Sequence, residues 1–124
     1  MEKMAGRKKE TYSLINYKFF IMRTFNHVGI LTTEKKEDAF LNEGLGVWLT
    51  DFSKSPNKIE YLLFEENSCM PELIKSNSHI AYTVPSMEEA LKGAKVIFGP
   101  VGDDKLQIAF IEEEGIAIEL MECK

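Results

Sequence analysis

The sequence predicts an α+β fold of two paired βαβββ-type modules, the first one compressed, that curve around a central cleft. Three observations predict it. Strand-like alternation and short helical segments recur in the same order twice along the chain. Asn26-His27-Val28-Gly29 in one half matches Ser78-His79-Ile80-Ala81 in the other, 52 residues further on. Each half then closes on a strand with a glutamate at its middle, Glu60 in Lys58-Ile59-Glu60-Tyr61-Leu62 and Glu119 in Ala117-Ile118-Glu119-Leu120-Met121. A repeat of this length that occurs only twice is a duplicated half-domain rather than a solenoid.

Taken in order, residues 1–23 read as an N-terminal extension. Tyr12, Ile15, Phe19 and Met22 fall at helical spacing and suit a helix packed on the domain, while Met22 also suits an alternative start. Asn16, Tyr17 and Lys18 interrupt the apolar run from Leu14 to Met22, so it fits neither a secretory signal nor a membrane span. The domain itself covers 24–123, as modules 24–66 and 78–123. In the first module Phe25–Thr32 is β-rich. Thr33 to Leu45 reads as a short helix, with a cap at Thr33, Glu34 in the first turn, and Gly44 and Gly46 to stop it. Val47–Ser53 and Lys58–Glu65 read as strands joined by Lys54-Ser55-Pro56-Asn57, a good turn. Asn67 to Asn77 connects the modules, with a helical turn around Pro71–Ile74. In the second module His79–Val84 is a strand, and Pro85-Ser86 opens a helix over Met87–Lys92 that Gly93 ends. Lys95–Phe98, Lys105–Glu112 and Ile116–Cys123 complete the unit. The first module thus reads β-α-β-β, with one strand short or missing.

Composition bounds the function. One domain's worth of chain, 44% hydrophobic and 28% charged with a net charge of −5, is ordinary for a globular protein and lacks the basic stripe of a nucleic-acid binder. Two cysteines, Cys69 and Cys123, form no CxxC pair and read as reduced thiols in a cytoplasmic protein. No membrane partner is expected. The edges and faces left by a compressed first module predict a homodimer.

Strand alternation assigns the faces. His27 shares a face with Phe25, Gly29 and Leu31, opposite Val28 and Ile30. Glu60 lies opposite Ile59, Tyr61 and Leu63; His79 opposite Ile80, Tyr82 and Val84; Glu119 opposite Ile116, Ile118 and Leu120. In each case the strongly apolar set belongs against a helix, which leaves the ionisable residue facing the cleft. A lone strand histidine is usually a surface or hydrogen-bonded residue, and a lone strand glutamate usually faces water. Here the only two histidines of the chain occupy one register of a repeat, each followed by a glutamate on the last strand of its half. Glutamates within apolar strands need a partner that neutralises them, and a divalent cation (Zn, Ni, Co, Mn or Fe) held by two carboxylates and two imidazoles does so. Phe25, Phe64 and Met121 are further cleft-side candidates. Asp51 and Gln107, on neighbouring strands, are weaker candidates for contacts that support the ligands or touch substrate, Asp51 reading first as a sheet-edge residue approaching a turn.

At these residues the sequence resembles the vicinal oxygen chelate superfamily, which includes glyoxalase I, methylmalonyl-CoA epimerase, ring-cleaving extradiol dioxygenases and bleomycin resistance proteins. The resemblance covers residues 24–123. It rests on the strand-opening histidines of Asn26-His27-Val28-Gly29-Ile30 and Ser78-His79-Ile80-Ala81, with the closing Ile116-Ala117-Ile118-Glu119-Leu120-Met121. It implies metal ligands at His27, Glu60, His79 and Glu119. The sequence departs from an even repeat, with 32 residues between His27 and Glu60 against 39 between His79 and Glu119. The resemblance further implies a metal-dependent isomerase, epimerase or lyase. In such an enzyme the ion stabilises an enolate or enediolate of a small substrate with vicinal oxygens, and Glu119 or Glu60 moves the proton. A ring-cleaving dioxygenase, which needs only two histidines and one carboxylate, and a non-catalytic ligand-binding or resistance protein are the alternatives. Whether the two histidines sharing an ion belong to one chain stays open at this level.

Overall fold

The computed structural model describes residues 22–124. The N-terminal extension predicted over 1–23 therefore lies outside the described residues except for its last two. Eight strands follow: β1 Thr24–Leu31, β2 Phe40–Asn42, β3 Val47–Leu49, β4 Ile59–Phe64, β5 His79–Thr83, β6 Lys95–Gly102, β7 Leu106–Glu113 and β8 Ile116–Cys123. Two one-turn helices interrupt them, α1 Glu72–Lys75 before β5 and α2 Met87–Ala90 after it. Among the described residues no helix is long and apolar enough to cross a membrane.

All eight strands belong to one sheet, in the order β2-β3-β4-β1-β5-β8-β7-β6. The order is the same read outward from the central β1–β5 seam in either direction. β1 pairs in parallel with β4, as β5 does with β8, and β1 and β5 run antiparallel to each other. The duplication read from the sequence is therefore expressed as two like half-sheets joined edge to edge, curling around a cleft lined from both.

The second half is the better covered. Met87, Ala90, Leu91 and Ala94 recur at i, i+3, i+4 and i+7, one apolar stripe for a helix to bury. Ser86 caps that helix by accepting from Glu89 N at 3.2 Å. The stripe packs on Val84, Ala109, Ile111, Ile118 and Leu120, the core of the outer face. Each fully buried aliphatic side chain there stabilises the fold by roughly 1.5–3 kcal/mol. The β7–β8 hairpin turns through Glu114 (φ 54°) and Gly115 (φ 82°), the pair of positive φ values that a two-residue turn matched to strand twist requires.

The first half corrects two sequence expectations. Residues 33–39 form turns rather than the helix predicted from Thr33 to Leu45, and the chain re-enters the sheet as β2 at Phe40. The compression removed the helix and kept a three-residue strand. The reason is visible in Thr32-Thr33-Glu34-Lys35-Lys36-Glu37-Asp38, which offers caps but no apolar residue, so a helix there has nothing to dock. The outer apolar set of this half, Val28, Ile30, Tyr61 and Leu63, accordingly stays half-buried instead of lying under a helix. Lysines of the loop cover part of it, Lys35 Nζ 4.1 Å above the Trp48 ring and Lys36 Nζ 4.4 Å above that of Tyr61. Such contacts contribute about 0.5–1 kcal/mol each at exposed positions, much less than a buried helix face.

The second correction concerns Phe25. A bulge between Phe25 and His27 leaves Asn26 without a cross-strand partner, so Phe25 pairs with Tyr82 and His27 with Ala81. Phe25 therefore stands on the outer face, 53% exposed, and does not line the cleft. Just before it, Arg23 donates to both carboxylate oxygens of Glu113 at 2.9 and 2.7 Å, with its guanidinium 5.6 Å from the Tyr82 ring. This bidentate pair ties the start of the first half to the second. Two strand limits also moved. β3 ends at Leu49 because Asp51 caps a 3-10 turn over Phe52–Lys54, and β6 runs on past Phe98 to Gly102 as an interrupted edge strand.

Candidate metal centre

The four inner strands, β4, β1, β5 and β8, each contribute one ionisable side chain at the same level of the sheet. Gly29 on β1 is in register with Glu60, and Ala81 on β5 is in register with Glu119. Each glutamate thus lies beside the residue two places beyond its histidine, in both halves. The shortened spacing leaves the Glu60 register intact, because the missing residues come out of the loop before β2 and out of β2 and β3, which have three residues each where β6 and β7 have eight. The quartet named from the sequence meets within one chain: one ligand atom from each of His27, Glu60, His79 and Glu119 lies within 4.8 Å of all the others.

Burial and pairing sharpen the picture. His27, His79 and Glu119 are 1%, 3% and 7% exposed. His79 Nε2 is 3.1 Å from Glu119 Oε1, and His27 Nε2 is 3.4 Å from Glu60 Oε1 and 3.5 Å from Glu119 Oε1. Asn26 Oδ1 can only accept, so at 2.7 Å it fixes the proton of the His27 ring on Nδ1. The Nε2 atom of a neutral His27 therefore aims a lone pair at two carboxylates, buried and without a hydrogen-bond partner. A cluster of lone pairs facing lone pairs is unstable until a cation enters it.

A proton or a metal ion meets that need. Burial pushes the His27 pKa down, but the Glu119 and Glu60 carboxylates outweigh it and raise the value to about 9. Burial likewise pushes the Glu119 carboxyl up, and the facing His27 and His79 rings bring it below its ordinary value. The donor set also fits a divalent ion. Two donors each about 2.1 Å from a shared zinc sit at most about 4.2 Å apart, so the quartet needs only a slight contraction. Two carboxylates and a divalent cation also sum to zero charge.

The surroundings hold the imidazoles in place, and here the sequence reading missed three residues. Phe52 stacks on His27 with ring centroids 4.2 Å apart and planes 16° from parallel. Asp51, a weaker candidate for a supporting or substrate contact, does not line the cleft; it caps the turn that carries Phe52, accepting from Ser53 N and Oγ at 2.9 and 2.7 Å. Gln107 lies outside the cleft as well. Asn26 fixes the ring orientation of His27, as described. Gly29 faces His79 across the seam, and a Cβ there would come 2.4 Å from the His79 ring. Ala81 faces His27 in the same way. A small residue two places after each histidine was the available signal, and its meaning depends on the pairing. Beyond the quartet lies a cleft of about 250 Å³, which Phe64 and Met121 line as expected.

No protein family matches the chain, and no curated protein matches it. Among solved structures, a hypothetical protein from Bacillus halodurans C-125 is similar, with a TM-score of 0.59 and 23% identity over 82% of this chain and 95% of that one. That likeness concerns the fold.

Proposed function

We propose that this chain is a metal-dependent enzyme of the vicinal oxygen chelate type, an isomerase, epimerase or lyase acting by proton transfer on a small substrate. The observation that carries the reading is the buried quartet, above all the unpartnered His27 Nε2 aimed into it. A divalent ion, when bound there, supplies Lewis-acid stabilisation of negative charge developing on a substrate oxygen. His27 and His79 hold the ion as neutral imidazoles, and Asn26 keeps the His27 proton on the atom pointing away from it.

The two glutamates divide the remaining work. Glu119 faces both imidazoles at 3.1 and 3.5 Å and is the fixed ligand. Glu60 approaches only His27, at 3.4 Å, and its side chain is the more exposed of the two, 13% against 9%. It is therefore the carboxylate free to swing toward a substrate and take its proton. Solvent-deuterium exchange into α-hydroxy carbonyl compounds, followed by NMR with zinc- or nickel-loaded protein, tests this. Exchange that Glu60→Gln abolishes while the ion stays bound supports the reading. Absence of exchange across a broad panel counts against it. Metal retained by Glu60→Gln with consumption of dioxygen makes the protein an oxygenase instead. The apolar cleft also suits a binding or resistance protein without chemistry, and that reading predicts binding without exchange.

A further inference from the structure

The charge inventory around the cleft says what it can hold. Of its seventeen lining residues, twelve are apolar and the ionisable ones are the quartet alone. No lysine or arginine lines it among the described residues. Six of those cations are committed elsewhere, Arg23 to Glu113, Lys92 to Glu89, Lys95 to Glu112, Lys75 to the Ser68 carbonyl, and Lys35 and Lys36 to outer-face aromatics, while Lys54, Lys58, Lys105 and Lys124 are exposed and outside the lining. With a divalent ion the quartet is neutral, and without one it is negative. Either way an anionic group set against the walls, away from the ion, finds no partner, and an uncompensated charge among apolar side chains is strongly disfavoured.

Size and rigidity narrow the occupant. The cleft of about 250 Å³ lies just under the range of about 300–1,000 Å³ typical for ligand sites, so the part of a ligand that it encloses is small. Its apolar end is already formed, because Met70, Ile74 and Phe110 belong to a packed core cluster that Phe64 and Ile108 extend. One uncharged amide, Asn42, also lines the space. Its Oδ1 accepts from Leu45 N at 3.1 Å, which leaves its NH₂ group to donate to a ligand oxygen.

We infer that the cleft takes a small, uncharged, largely hydrocarbon group bearing a pair of neighbouring oxygens, and disfavours a carboxylate or phosphate placed against its walls. The inference rests on the metal reading for the oxygen pair and on the wall alone for the charge rule. The test uses the full chain loaded with zinc, titrated by NMR with phenylpropanedione and with its para-carboxamide and para-carboxylate. The parent is expected to bind, and the carboxylate to bind at least about tenfold more weakly than the amide, a difference of about 1.4 kcal/mol. Leu106 is 37% exposed and lines the cleft, so Leu106→Arg supplies the missing cation without disturbing the core. It is expected to close the gap by strengthening carboxylate binding. Equal or tighter carboxylate binding by the unaltered protein, a gap that Leu106→Arg leaves untouched, or no binding of the parent at millimolar concentration overturns the inference. Elemental analysis of the same samples separates the two readings. Metal-free protein that keeps the charge preference refutes the metal reading alone, and metal-replete protein without it refutes this inference alone.

Discussion

Replacing Gly29 by alanine puts one methyl group against the His79 ring. The added Cβ would lie 2.4 Å from Cε1, 2.8 Å from Nε2 and 2.9 Å from Nδ1 of that ring. Carbon atoms in contact sit about 3.5 Å apart or more, so the imidazole must recede by about 1 Å. It has little room to do so: it is 3% exposed and meets the Phe110 ring edge-on with centroids 5.1 Å apart. Nor can the backbone open, since Gly29 and His79 are paired at the central seam. The ring therefore turns, and Nε2 leaves its place 3.1 Å from Glu119. Overpacking of this kind costs about 1–3 kcal/mol of stability, and a displaced ligand costs about 10- to 100-fold in metal affinity. Zinc affinity by competition with a chromophoric chelator, beside thermal melts of the metal-free protein, reads both. Gly44→Ala is the control, its added Cβ meeting only Asn42 Oδ1 at an ordinary 3.6 Å. Wild-type zinc affinity and wild-type stability in Gly29→Ala would show that the His79 ring is not held against Gly29 as described.

Three further outcomes follow from the site. Asn26→Ala frees the His27 ring to change tautomer, and zinc affinity measured in the same competition assay should fall about 10- to 100-fold. The pH dependence has a definite sign: His27 has a folded value of about 9 against an ordinary 6.5, so its proton stabilises the metal-free fold fully below about pH 6.5. That contribution, about 3 kcal/mol at most, should be lost as pH rises through about 9 in denaturant melts, and His27→Gln should remove the slope. Because the ion must displace the same proton, apparent zinc affinity should climb about tenfold per pH unit from 7 toward 9.

Much of this architecture was legible because two periodicities agree. Strand alternation put His27, Glu60, His79 and Glu119 on one side of their strands, and the repeat put each histidine in the same register of its half. The errors arose where a local signal lacked a tertiary partner. Thr33 and Gly44 look like helix caps, yet a helix forms only if its apolar stripe finds a surface, and Lys35-Lys36-Glu37-Asp38 has none. Phe25 was assigned to the cleft by strict alternation, which a single extra residue at Asn26 reverses. The supporting contacts of Phe52, Asn26 and Gly29 were out of reach for a different reason. A stacked ring, a ring-orienting amide and a close backbone approach are relations between strands, and one-dimensional spacing does not encode them.

The proposed chemistry requires these four residues to hold one divalent ion within a single chain. Elemental analysis of the full chain, purified and dialysed against zinc, nickel, cobalt, manganese and iron in turn, tests it most directly. Wild-type protein should take up one equivalent of a divalent metal, lost in His27→Ala and in His79→Ala while circular dichroism shows the sheet retained. Well-folded wild-type protein that takes up no metal from any of the five would contradict it.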